Sequence, residues 1–203
     1  MTSRNARGRR AVPPQERRRV TAPDPQVDVV DEGALLRLAA LKLLRHRVDP
    51  GLVALYAMRV TTIDPRPGAA DAVAEASERR LRSVLRPADV VGRLDDGSLA
   101  VLADGLLSAP AVFALDDRLL TALGAPVDIT GEAAALPIVS IGLALTGNPM
   151  RKATDMLRHA ALSMEVAVQA GGNRIERADP EFVGLLDLTG ASESEKGSVG
   201  RGS

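Results

Sequence analysis

Apolar residues change their rhythm several times along the chain, and each change marks an element. From Asp31 to Arg47, leucine and alanine recur at the interval of a helix, and Asp49-Pro50-Gly51 stops it. LVALYAMRV (52–60) is apolar almost throughout, as a strand covered on both faces is. Residues 69–85 set Val73, Ala76, Leu81 and Val84 on one helical face, with Pro87 as the terminator. Gly92–Leu106 then reads as two apolar runs about the turn Asp95-Asp96-Gly97-Ser98. That is the pattern of a β-hairpin, because Gly accepts the positive φ such turns need.

Ser108 is placed to cap a third helix, with Pro110 in its first turn and Gly124 beyond its end. VDIT (127–130) predicts a short edge strand. PIVSIGLAL (137–145) predicts a central one, with Gly142 admitting close backbone approach. Ala153, Leu157, Ala161, Met164 and Val168 form a helical stripe that Gly171-Gly172 ends, and NRIER (173–177) is the last strand. The order α-β-α-β-β-α-β-β-α-β predicts an α+β fold, a mixed central sheet flanked by helices.

Charge and composition divide the chain. Residues 1–20 hold seven Arg against one Glu, so the balanced total leaves residues 21–203 at −6. The expected organisation is a disordered Arg/Pro-rich arm over 1–30, one domain over 31–188, and a disordered Ser/Gly tail over 189–203. Within the domain, a leading helix spans 31–47 and the core spans 52–181. The arm reads either as a solvated tail or as an electrostatic arm for nucleic acid, anionic lipid or an acidic partner. With no aromatics interleaved to stack on bases, the solvated reading is preferred. FVGLLDL (182–188) is expected to dock its apolar side on the domain, or on a partner.

The absence of cysteine excludes disulfides and thiol chemistry, and two histidines, His46 and His159, do not suggest a metal centre. Both are expected as surface or partly buried residues. No apolar run is long enough to span a membrane or to follow the basic start as a secretory signal, so a cytoplasmic chain is expected. With one Tyr, two Phe and no Trp, the core must be aliphatic.

Three segments carry a family likeness. RRLRSVLRPADVVGRLDDGSLAVL (79–102), IVSIGLAL (138–145) and AGGNRI (170–175) resemble, in that order, the helix–hairpin, the SIG strand and the closing motif of the GGDEF domain. That family condenses two GTP molecules into cyclic di-GMP on a nucleotidyl-cyclase-like fold. In active members, two Asp at the first strand's end and an acid in the hairpin turn hold magnesium. The resemblance sets Arg59 and Thr61 on the two Asp positions. It sets Asp95 and Asp96 on the glycine pair that admits the nucleotide, Gly97 on the metal-binding acid and Ser98 on the following Glu.

Val168 falls where the family has a phosphate-contacting Lys. The segment after Ile63 is too short for the guanine-contacting Asn, although Asp71 corresponds to a guanine-contacting Asp. A guanidinium has no lone pair for a cation. The resemblance therefore implies a degenerate member, not an enzyme, with no metal and no cofactor.

It also implies a ligand. RPAD (86–89) stands where many such domains carry R-x-x-D, a product-inhibition site for cyclic di-GMP. Arg118, on the following helix, falls near the position of that site's third residue. Arg can bond guanine O6 and N7 together, and a carboxylate accepts from guanine N–H groups. Alternatively, Arg86 complements the helix dipole, Asp89 starts a turn, and Arg118 pairs with a neighbouring carboxylate. Two functions follow. One is a cyclic di-GMP sensor signalling to a protein partner or homodimer. The other is a ligand-independent interaction module of the same fold.

Overall fold

The computed structural model describes residues 29–129 and 133–177. Its centre is β2, Leu52–Thr62, and the apolar run there has two sets of neighbours. Ala54, Tyr56 and Met58 enter one core, with Leu81 of α2 (Ala69–Val84) and Leu115, Leu119 and Leu123 of α3 (Ala109–Gly124). Val53, Leu55 and Ala57 enter the other. There they meet Leu35, Ala39 and Leu43 of α1 (Glu32–Arg45), and Met156, Ala160 and Met164 of α4 (Ala153–Gln169). Alternation of side chains across a strand thus buries β2 between two helix pairs.

The sheet is completed by β1 (Val29–Asp31), β3 (Val90–Arg93), β4 (Leu99–Leu106), β5 (Pro137–Thr146) and β6 (Arg174–Glu176). Their order is β1-β3-β4-β2-β5-β6. β2 runs antiparallel to β4 and β5, whereas the rims β1 and β6 lie parallel to their neighbours. The sheet is mixed and helix-flanked, as expected from the sequence.

Two glycines are required, one by its neighbours and one by its backbone angle. At Gly142 of β5, a Cβ would overlap the carbonyl oxygen of Ala160 and the amide nitrogen of Met164, so α4 rests directly on the strand. Gly97 has φ 83° and closes a three-residue hairpin loop. Its amide donates to Leu94 O at 2.9 Å, and the Leu94 amide donates to Ser98 O at 2.8 Å.

Several expectations need correction. Val29 and Val30, assigned to the arm, pair with Val91 and Gly92 as β1, and Asp31 caps α1 by accepting from the Ala34 amide at 2.6 Å. The strand expected over 127–130 is reduced, among the described residues 127–129, to one bridge: Val127 pairs with Ala135 and packs on α2 at Val73 and Ala76. Ser108 precedes α3 but makes no side-chain cap bond, and Gly124 is the helix's last residue. The buried stripe of α4 is Ala153, Met156, Leu157, Ala160, Ser163, Met164 and Ala167, so Ala153, Leu157 and Met164 stand where expected. Ala161 and Val168 flank it, because small residues held against the sheet do not stand out as apolar. The expected disorder over 1–28, the docking of 182–188 and the tail over 189–203 lie outside the described residues. Among those residues, no helix is long and apolar enough to cross a membrane.

Candidate functional site

The hairpin brings the first group of site residues together. Arg59, near the end of β2, reaches Asp96 Oδ2 at 3.3 Å and Glu165 Oε1 of α4 at 2.7 Å. Strand order explains this contact: β4 and β5 flank β2, so the hairpin tip and α4 lie on either side of the strand's end. Asp96 also accepts from the Ser98 hydroxyl, and from the Ser98 amide at 2.9 Å. The Ser98 hydroxyl, its amide and Arg59 hold Asp96 below the usual carboxylate range against a burial penalty.

The Asp95 amide donates to Glu32 at 3.0 Å, tying the tip to α1. Thr61 is exposed, and Val168 lies one turn beyond Glu165, half-buried. Beside Arg59, between the hairpin and α2, is a cavity of about 280 Å³ whose polar lining includes Ser77, Glu78, Arg93 and Asp96. Glu78 pairs with Arg93 across it. Among the described residues, no three His, Asp or Glu converge as a metal site.

A second group forms at the other end of α2. Asp89 is buried, and its Oδ2 accepts from the Arg86 amide at 2.9 Å, while its own amide donates to Arg86 O. The R-x-x-D stretch is therefore a closed turn, with the Arg86 side chain exposed. Burial pushes Asp89 above the usual range despite the Arg86 amide and the positive charges of Arg86, Lys42 and Arg118. Arg118 of α3 thus stands within electrostatic reach of Asp89. Its exposed side chain makes no ion pair with a carboxylate among the described residues.

Two buried networks were not legible in the sequence. In the first, Lys42 donates to Ala88 O at 3.0 Å, inside the R-x-x-D turn, and pairs with Asp104 at 3.4 Å. His46 meets Asp104 Oδ1 at 2.6 Å and Gly51 O at 2.8 Å. His46 is buried at 7 % exposure and fastens α1 to β4, so it lies deeper than the surface or partly buried position expected. Burial raises the Asp104 carboxyl, but the His46 bond and Lys42 outweigh it and hold the group below its usual range. A depressed carboxylate contributes stability above its unfolded pKa, lost as pH falls through the folded one. Asp104→Asn should therefore be destabilised at neutral pH and show a shallower loss of stability below about pH 4. Chemical melts from pH 7 to pH 2 measure this, and parallel curves for the two proteins would refute it.

In the second network, the Tyr56 hydroxyl donates to Asp116 Oδ1 at 3.0 Å, and Arg177 pairs with Asp116 Oδ2. The Arg177 guanidinium also lies 5.6 Å from the centre of the Phe113 ring. Tyr56, Asp116 and Arg177 come from β2, α3 and the residue after β6. Sequence reading had no local signal for any of these bonds.

Comparison with known proteins agrees with this architecture. The family model described as diguanylate cyclase, GGDEF domain, matches residues 68–174. Diguanylate cyclase TpbB of Pseudomonas aeruginosa is 29% identical over 157 residues, 75% of this chain and 36% of TpbB. The chain thus spans about a third of that relative's length. The solved GGDEF domain of TpbB superposes with a TM-score of 0.63 at 23% identity, covering 75% of this chain and 98% of that one. SiaD of the same organism, solved in complex with its activator SiaC, gives 0.61 at 17%, covering 76% and 61%. DgcB of Caulobacter crescentus, solved in complex with cyclic di-GMP, gives 0.58 at 12%, covering 75% and 83%.

Proposed function

Since the chain belongs to the GGDEF family, we propose that it is a catalytically silent regulatory domain of cyclic di-GMP signalling. In this reading it binds cyclic di-GMP through Arg86, Asp89 and Arg118, acts in the cytoplasm and passes the signal to a protein partner. One observation carries the reading: the Arg59 guanidinium lies between Asp96 and Glu165 at the end of β2. The residues there do not fit a magnesium ion. A guanidinium offers no lone pair and repels a divalent cation, and both nearby carboxylates already bond it. Phosphoryl transfer depends on metal or cationic stabilisation of phosphate charge, and in this reading the end of β2 does not supply a metal for it.

The sensing half draws support from Arg86 and Arg118, two exposed guanidiniums flanking one carboxylate turn. They match the needs of a ligand with guanine edges and phosphates. DgcB, which shares the fold, was solved with that ligand. Titration by calorimetry should show binding of cyclic di-GMP. Arg86→Ala and Arg118→Ala should each weaken it by about tenfold, or about 1.4 kcal/mol. No heat at about 0.1 mM ligand would sink the sensing half. Magnesium-dependent turnover of GTP would sink the silent half.

Asp89 also favours a second reading. Its carboxylate already satisfies the Arg86 amide from within the fold. In that case the turn is structural and the domain is a ligand-independent interaction module. SiaD, of the same fold, assembles with a protein activator.

A further inference from the structure

A groove of about 530 Å³ runs between α1 and the loop that leads into α4, and none of the residues of the hairpin cavity lines it. Its floor is apolar, built on Leu36, Leu43 and Leu44, with Met150 at 69 % exposure on its rim. Four cations and no anion line it: Arg37, Arg47, Arg151 and Lys152. Arg47 donates to the Met150 sulfur at 3.1 Å, a weak acceptor, and Arg151 meets His159. The Arg37 and Lys152 side chains have no hydrogen-bond or ion-pair partner among the described residues. An apolar trough with a purely cationic rim suits an acidic, apolar segment of protein.

The chain itself contains such a segment. Residues 178–188, ADPEFVGLLDL, carry Asp179, Glu181 and Asp187 with no base, together with Phe182, Val183, Leu185, Leu186 and Leu188. Direction and reach agree. β6 runs parallel to β5 with Glu176 beside Gly142, so the chain leaves the sheet toward the end of β5. Four more residues of β5 lead to Thr146, roughly 13 Å further on, where the loop forming the groove begins. Eleven residues span at most about 36–40 Å, enough to pass the start of α4.

We propose that this groove is the seat of the chain's own segment 178–188. Its leucines lie on the α1 floor and its three carboxylates meet the cationic rim. The segment would then cover Leu44 and Met150.

The chain has no cysteine, so introduced pairs report proximity cleanly. In the full chain, Leu44→Cys with Leu186→Cys should oxidise to an intramolecular disulfide at least tenfold faster than Ile63→Cys with Leu186→Cys. Ile63 is exposed at the other end of β2. Adding Arg37→Glu and Arg47→Glu should slow the groove pair at least fivefold at low salt. Equal rates for the two pairs would overturn the proposal, and so would a disulfide-linked dimer, which would assign the groove to a second copy. A readout free of groove substitutions is Met150 oxidation by peroxide, followed by mass spectrometry. Reversing Asp179, Glu181 and Asp187 to Lys should speed it at least fivefold, and an unchanged rate would also overturn the proposal.

Discussion

Gly142→Ala is expected to cost about 3 kcal/mol or more, a large share of the roughly 5–15 kcal/mol that keeps a domain folded. The added methyl would enter the backbone of α4 at Ala160 and Met164. Backbone cannot rotate aside as a flexible side chain can, so strand and helix would have to separate. That separation would disturb Met156, Ala160 and Met164, which pack on Leu55 and Ala57. Gly124→Ala supplies the control, since an added methyl there meets nothing within 4 Å at the end of α3. Alanine is the better helix former, so that variant should match or slightly exceed the parent. Urea melts of the three proteins give the comparison. A Gly142→Ala midpoint equal to the parent's would mean that α4 does not rest on β5 as described.

The second large effect concerns Asp116. Burial lifts its carboxyl above the usual range even with Arg177 and the Tyr56 hydroxyl opposing the shift, so ionising it inside the fold is unfavourable on balance. Such a pair adds little by its presence and much by its disruption. Asp116→Ala would remove the acceptor of the Tyr56 hydroxyl and the Asp116 half of the ion pair with Arg177. Because the Arg177 side chain keeps 25 % exposure, the expected loss lies at the low end of the usual range, about 3 kcal/mol. Tyr56→Phe removes one donor and should cost about 1 kcal/mol. Replacing all three together, with Tyr56→Phe, Asp116→Leu and Arg177→Met, should recover most of the Asp116→Ala loss. Additive losses in that triple variant would show that the network stabilises the fold outright.

How far the sequence could be read depended on whether a feature was local. The run 52–60 announced a doubly buried strand because both of its faces are apolar, and Gly142 announced a close approach because it interrupts a β-branched run. β1 was missed because Val29-Val30-Asp31 is too short to show a period and follows an Arg-rich stretch. Arg59 stood out as the wrong residue for its place in the family pattern. Its partner Glu165 did not, because the pair spans 106 positions and forms only when α4 folds across β5. His46 read as a surface or partly buried imidazole without a partner for the same reason: Asp104 comes to it from β4. Glu78 and Arg93, which face each other across the hairpin cavity, carried no signal beyond ordinary charge.

Tyr56 has a practical consequence. It is the chain's one tyrosine, no tryptophan masks it, and it sits fully enclosed in the middle strand. Ultraviolet emission and near-ultraviolet dichroism therefore come mainly from a single ring that donates to a carboxylate. An optical trace during unfolding would watch one defined point in the interior, without any dye or label.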